Sequence, residues 1–182
     1  MSPIFLFIYF IADSVGMKSN YPLYVIILWV LFILMELSDL FDGMAARATN
    51  TVSDLGKIFD PFADVISRMT YFLCFTATGI MPVFVFAIIM YREFIILFIR
   101  ILAMQKGFAM GARAGGKLKA WSYAFSGIFG LLYFSIIKTS FFWEYSDQIL
   151  CIAKVFFILS AIAALVSLID YLLMLKKKFF NP

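Results

Sequence analysis

The sequence predicts an all-α integral membrane protein of six transmembrane helices, the first one short, forming a single domain over residues 1–182. Three observations carry this prediction. First, 64% of residues are apolar and only 14% charged, with a mean hydropathy of +1.00; a soluble domain has about 25% charged and about 45–50% apolar residues. Second, the apolar residues gather in six runs, and at roughly 20 residues per span a chain of this length crosses a bilayer about six times. Third, the basic residues collect on alternate ends of those runs, as the positive-inside rule demands of a multi-pass protein.

The six runs are residues 3–12, 21–37, 59–80, 81–103, 118–137 and 149–175. The first is too short to span and has neither a charged leader region nor a cleavage pattern, so it is expected to be the remainder of a first helix whose start is missing. The third and fourth meet at Gly79-Ile80-Met81-Pro82, which reads as a tight turn between antiparallel helices. Arg47, Lys57, Arg100, Lys106, Arg113, Lys117, Lys119 and Lys176-Lys177-Lys178 share one side, while Lys18, Lys138 and Lys154 fall on the other. The richer side is expected to be cytoplasmic, and the terminal lysine run reads as a topology anchor. Phe141-Phe142-Trp143, at the opposite end, fits an interfacial aromatic belt.

Composition also excludes chemistry. The chain has no histidine, and its two cysteines, Cys74 and Cys151, lie inside apolar runs. Histidine-based catalysis, histidine-ligated metals, zinc sites of the CxxC type and a disulfide scaffold are ruled out. What remains is carboxylates, Lys and Arg, hydroxyls and bound metal. The net charge of +4, from 15 basic and 11 acidic residues, suits anionic lipid head groups or phosphate substrates. Nucleic acid is not an expected partner for so apolar a chain.

Four carboxylates, Asp39, Asp42, Asp60 and Asp64, fall within 26 residues of a chain with 11 acids in all. Each is costly near hydrocarbon unless paired, solvated or metal-bound. Asp39 and Asp42 are spaced i,i+3 and Asp60 and Asp64 i,i+4, so each pair shares a helical face. Two helices joined through residues 48–55 can aim both pairs at one point. Asp54, in that connection, reads as an ordinary solvated residue. Divalent metal is the simplest neutraliser, and all-oxygen ligation points to Mg²⁺ or Mn²⁺ rather than zinc or copper. Four carboxylates suffice for two ions about 3.5–4 Å apart, the clamp used for displacement at phosphorus. Gly43, Ala46 and Gly56 leave room for a bulky ligand against the backbone, and Arg47 can face a diphosphate.

In full, the stretch reads D-x2-D-G-x2-A-R-x8-G-x3-D-x3-D and resembles the signature of the CDP-alcohol phosphotransferases. Asp39, Asp42, Gly43, Ala46, Arg47, Gly56, Asp60 and Asp64 occupy its eight specified positions. The six-segment hydropathy is similar to that family's fold. The resemblance implies a membrane enzyme that moves a phosphatidyl group from CDP-diacylglycerol to an alcohol and releases CMP. Asp39, Asp42 and Asp60 would ligate the two metals; Asp64 would touch metal and act as general base; Gly43, Ala46, Arg47 and Gly56 would line the CDP-lipid site. A homodimer in the cytoplasmic (inner) membrane, with the active site facing the cytoplasm, is also implied.

The acceptor alcohol is read from the second polar cluster. Arg92-Glu93 lies inside an apolar run and is expected to form an internal ion pair or a link to neighbouring helices. Arg-Glu-Phe, Arg100, Lys106-Gly107 and Gly116-Lys117-Leu118-Lys119 together resemble the phosphatidylglycerophosphate synthase branch, whose acceptor is sn-glycerol 3-phosphate. Lys106, Arg113, Lys117 and Lys119 would hold the acceptor's phosphate. Two positions depart from that branch: it usually opens with an amphipathic segment absent before Met1-Ser2-Pro3, and Ala120 stands where a small hydroxyl residue is expected. An inositol phosphate, serine or another alcohol are the alternative acceptors. The rival from another class is a divalent-cation transporter, which would spread its acids through the membrane depth rather than gather them at one end.

Overall fold

The computed structural model describes residues 1–14, 21–49, 56–105 and 114–180, with side chains described over 1–14, 22–38, 59, 61–105 and 118–176. The chain folds as α1 (Ser2–Ser14), α2 (Tyr21–Thr49), α3 (Gly56–Ala77), α4 (Val83–Gln105), α5 (Ala114–Thr139) and α6 (Ser146–Phe180), with a short 3₁₀ turn at Trp143–Tyr145. No strand occurs among the described residues. Each predicted apolar run corresponds to one helix, although the third and fourth extend into the turn between α3 and α4, and several helices outlast their runs. The second continues past residue 37 to Thr49 because Met44-Ala45-Ala46-Arg47 are strong helix formers despite the charge among them. The last continues through Lys176-Lys177-Lys178 for the same reason. Hydropathy marks where lipid contact ends, not where the helix ends.

The α3–α4 connection forms where the sequence places it. Gly79 adopts a left-handed φ of 74°, the conformation that closes a helix C-terminus most cheaply with glycine. The amides of Ile80 and Met81 then bond back to the Phe75 carbonyl at 2.8 and 3.0 Å. In α3, Pro61 follows Asp60 directly and has no amide to bond back to the carbonyl of residue 57. The helix is therefore loosened beside the acidic motif.

Helix α5 packs on α6, α2 and α3, while α3 touches α1, α2, α4 and α5; α6 also covers α4, and α1 leans on α2 and α3. The core between them is largely aromatic. Tyr9 stacks on Phe134 with ring centroids 4.1 Å apart, and Phe72, Phe75, Tyr71 and Phe157 meet edge-on or tilted around them. Close approach to α5 depends on two glycines one turn apart. A Cβ on Gly127 would sit 2.6 Å from the Phe32 ring, and one on Gly130 2.6 Å from the Phe75 ring.

The outward faces are apolar as well. Ile158, Ile162, Val166, Ile169 and Leu173 stand exposed along α6, and Phe94 and Phe98 along α4. Such a surface suits hydrocarbon rather than water. Among the described residues, Leu118–Thr139 and Trp143–Lys176 are long and apolar enough to cross a bilayer. Of the others, α1 has 13 residues and the apolar stretch of α2 is Pro22–Ser38. Charge interrupts the remaining two: Asp60, Asp64 and Arg68 in α3, and Arg92, Glu93 and Arg100 in α4.

Candidate active site

The acidic motif is split between two helices. Asp39, Asp42, Gly43, Ala46 and Arg47 lie on the last turns of α2, Gly56 opens α3, and Asp60 follows one turn later. Helical backbone at these positions puts Asp39 with Asp42, and Asp60 with Asp64, on common faces. The side chains of these residues, Asp64 excepted, lie outside the described residues. So does the side chain of Lys117, on the first turn of α5, and so do Asp54, Lys106 and Arg113 altogether. Asp64 and Lys119 are the predicted site residues whose surroundings are described.

Asp64 is partly buried and lines a cavity of about 430 Å³ between the start of α1, the middle of α2 and the first turns of α3. Met35, Phe59, Phe62 and Ile66 make most of the wall apolar. The polar side chains on it, Ser2, Ser38, Asp64 and Ser67, offer oxygen only, with Ser2 and Ser67 hydrogen-bonded across the α1–α3 seam at 3.1 Å. Among the described residues no three carboxylate, histidine or cysteine side chains cluster, since three of the four motif aspartates lie outside them. The donors present fit a hard cation such as Mg²⁺ or Mn²⁺ and would serve zinc or copper poorly.

A second polar cluster lies deeper in the bundle. Arg92 and Glu93 are 3% and 4% exposed, and Lys119 8%. Charges this deep need partners, and they have them. Arg92 Nη1 donates to both oxygens of Glu93 at 3.0 Å, and its Nη2 donates to Ser167 Oγ at 2.6 Å. Lys119 Nζ and the Tyr123 hydroxyl donate to Glu93 Oε1 at 2.7 and 2.9 Å. One carboxylate on α4 thus ties α5 directly, and α6 through Arg92. The expected role of Arg92-Glu93 as an internal ion pair linking helices is met in these contacts. The ammonium of Lys119, expected to help hold the acceptor's phosphate, is buried with Glu93 as its hydrogen-bond partner.

Sequence reasoning passed over the residues that join the two clusters. The Tyr71 hydroxyl donates to Glu36 Oε1 at 3.2 Å. Glu36 lies within electrostatic reach of both Arg68 and Asp64, and Arg68 reaches in turn to Lys119 and Tyr123. A signal existed. Glu36 is one turn before Asp39 and Arg68 one turn after Asp64, so both extend the acidic faces along their helices. Tyr123 and Ser167 gave no signal, because a hydroxyl in an apolar run does not announce which buried charge it meets.

A profile of the CDP-alcohol phosphatidyltransferase family matches residues 1–174. A Treponema pallidum protein named CDP-diacylglycerol–glycerol-3-phosphate 3-phosphatidyltransferase is 37% identical over 156 residues, 83% of this chain and 68% of the relative. A Bacillus subtilis protein of the same name is 30% identical over 93 residues, 51% of this chain and 48% of its own length. A probable phosphatidylglycerophosphate synthase of Mycobacterium tuberculosis is 27% identical over 124 residues, 68% of this chain and 56% of its own. The chain therefore spans about half the length of the latter two. The profile match covers both helices of the acidic motif and the Arg92–Glu93–Lys119 cluster beside it, so the chain belongs to the CDP-alcohol phosphatidyltransferase family.

Proposed function

We propose that this membrane protein transfers the phosphatidyl group of CDP-diacylglycerol to sn-glycerol 3-phosphate, giving phosphatidylglycerophosphate and CMP. The observation that carries the reading is the complete acidic motif across α2 and α3 with Asp64 on the wall of a cavity. The names of the relatives from Treponema pallidum and Bacillus subtilis support the same donor and acceptor.

In this reading Asp39, Asp42, Asp60 and Asp64 hold two divalent cations, Mg²⁺ or Mn²⁺. When bound, such cations supply positive charge to the diphosphate and to the departing CMP. Gly43, Ala46, Arg47 and Gly56 seat the CDP-lipid, with Arg47 facing its phosphates. Asp64 accepts the proton of the acceptor hydroxyl as that oxygen bonds to the phosphatidyl phosphorus. The bond from this phosphorus to the CMP oxygen breaks, and CMP leaves with the electron pair. Lys106, Arg113, Lys117 and Lys119 bind the acceptor's phosphate, a role that serine or another alcohol without a phosphate would not need. The proposal includes a single domain over residues 1–182, six spans, an inner-membrane location with the site facing the cytoplasm, and a homodimer. The basic residues gathered at the motif end support the orientation.

The test is CMP release by purified protein given CDP-diacylglycerol and a panel of alcohols. Release with glycerol 3-phosphate is expected in Mg²⁺ or Mn²⁺ and is lost on chelation. Preference for another alcohol would replace the acceptor assignment. Asp64→Asn is expected to lower turnover at least about a hundredfold while CDP-diacylglycerol still binds; a wild-type rate in this variant would remove Asp64 as the base.

A further inference from the structure

We propose that Glu93 is a positioning residue for the acceptor step: its buried carboxylate, gripped by Arg92 and Tyr123, fixes the ammonium of Lys119 at the start of α5. The inference rests on the reading of Lys119 as part of the acceptor-phosphate site.

The geometry argues for a placed lysine. A lysine side chain has four rotatable bonds and a strongly hydrated head, so an unanchored Lys119 would offer its charge in many positions. Glu93 Oε1 receives it at 2.7 Å, and the Tyr123 ring lies under it with 4.9 Å from nitrogen to ring centre. Glu93 cannot swing to meet it elsewhere, because Arg92 spans both carboxylate oxygens and is itself held from α6 by Ser167. Lys119 therefore has one site to occupy. Glu93 takes one of the three N–H bonds that an ammonium carries.

The charge balance argues against a mere structural knot. Two cations, Arg92 and Lys119, share one carboxylate in the buried trio. A helix-tying cluster gains nothing from excess charge, and apolar packing commonly replaces buried ion pairs without loss of stability. Excess positive charge does serve a site that must draw a phosphate from water. Location agrees: Arg68 is one turn from Asp64 on α3, and Lys119 follows Lys117 on the first turns of α5.

The experiment measures KM for each substrate and kcat for the full-length protein in detergent micelles containing CDP-diacylglycerol, together with Tm. Tyr123→Phe removes one grip on Glu93 while keeping the ring, and Glu93→Gln removes the charge that holds Lys119. Each is expected to raise KM for glycerol 3-phosphate about tenfold or more, the worth of a buried bond to a charged group, with KM for CDP-diacylglycerol unchanged. In a Lys119→Ala background, Tyr123→Phe is expected to add nothing further. Lower Tm with wild-type KM for both substrates would overturn the proposal, as would equal rises in both. Should Glu93→Gln not fold, Tyr123→Phe and Ser167→Ala decide the matter alone. Should wild-type protein reject glycerol 3-phosphate, the functional reading fails, and the same variants are read with the alcohol it accepts: a KM rise confined to that alcohol keeps Glu93 as a positioning residue, and no rise removes it.

Discussion

The two halves of α5 are buried by opposite means. Near its start, Lys119 and Tyr123 converge on one carboxylate, and the contacts are hydrogen bonds of 2.7 and 2.9 Å. From Gly127 onward the same helix packs mainly on rings: Phe32 and Phe75 press against bare backbone, and Phe134 stacks on Tyr9, with a Trp29–Ser135 hydrogen bond and a Lys138–Asp13 pair beside them. Between the halves, Ser126 and Ser160 share a buried hydrogen bond of 2.8 Å. A helix packed on rings is held by shape and tolerates no added volume. A helix packed on charges is held by partner count and tolerates no lost partner. The first arrangement suits a scaffold. The second is costly in an apolar bundle, and it stands at the end where the acidic motif lies.

The largest effect on stability is expected where partner count matters most. Removing Glu93 leaves Arg92 and Lys119 as like charges in a buried space. Glu93→Leu is expected to destabilise the protein by about 3–5 kcal/mol, the usual penalty for stranding a buried charge. Arg92→Met removes an equally buried group, yet it leaves Glu93 and Lys119 as a balanced pair. The Ser167 hydroxyl can turn to its own helix backbone. Its expected cost is therefore smaller, about 1–2 kcal/mol. Thermal unfolding in a single detergent measures both. Equal losses, or a larger loss for Arg92→Met, would show that the cluster is not governed by its charge balance.

How far these features were legible in the sequence follows from the same contrast. Six apolar runs gave the helices, because packing in an apolar bundle leaves its mark on most residues of each element. The acidic motif was legible because charge is scarce: Asp39, Asp42, Asp60 and Asp64 stand out in a chain with 11 acids. Arg92-Glu93 could be assigned an inward role for the same reason. The partner of Lys119 could not be read. That partner is set by the rotation of α5 against α4, two helices whose pairing residues are 26 positions apart. A lysine near a helix end looks identical whether it snorkels to water or turns inward. Gly127 and Gly130 were equally silent, since nothing in an apolar run says which glycine faces a ring.

In the ring-packed half the expected effects are intermediate. At Gly130 an added Cβ meets Phe75 at 2.6, 2.8 and 3.0 Å. Phe75 is fully buried and lies between Tyr9 and Phe157, so it has little space to withdraw. Gly130→Ala gains up to about 1 kcal/mol in helix propensity, but overpacking of about 1–3 kcal/mol outweighs it. A net loss of Tm is expected. Phe75→Leu combined with Gly130→Ala should lose less than the sum of the two single changes, because the smaller side chain relieves the clash. Strict additivity would mean that the ring moves freely and that shape does not govern this half.

The smallest effect is expected at the junction. Ser126 and Ser160 are both fully buried, which in water-like bookkeeping makes their bond important. Within a helical bundle, however, each hydroxyl can fall back on the carbonyl four residues earlier in its own helix. Ser135 and Thr139 already do so on α5, at 2.7 and 2.8 Å. Losing one hydroxyl therefore strands nothing. Ser126→Ala is expected to cost only about 0.6 kcal/mol, the average for hydrogen bonds between membrane helices. Equilibrium unfolding in mixed micelles can resolve it beside Glu93→Leu. A loss at Ser126 approaching that of Glu93→Leu would mean that neutral buried bonds in this bundle are as unforgiving as charged ones, and the distinction between the two halves of α5 would then rest on geometry alone.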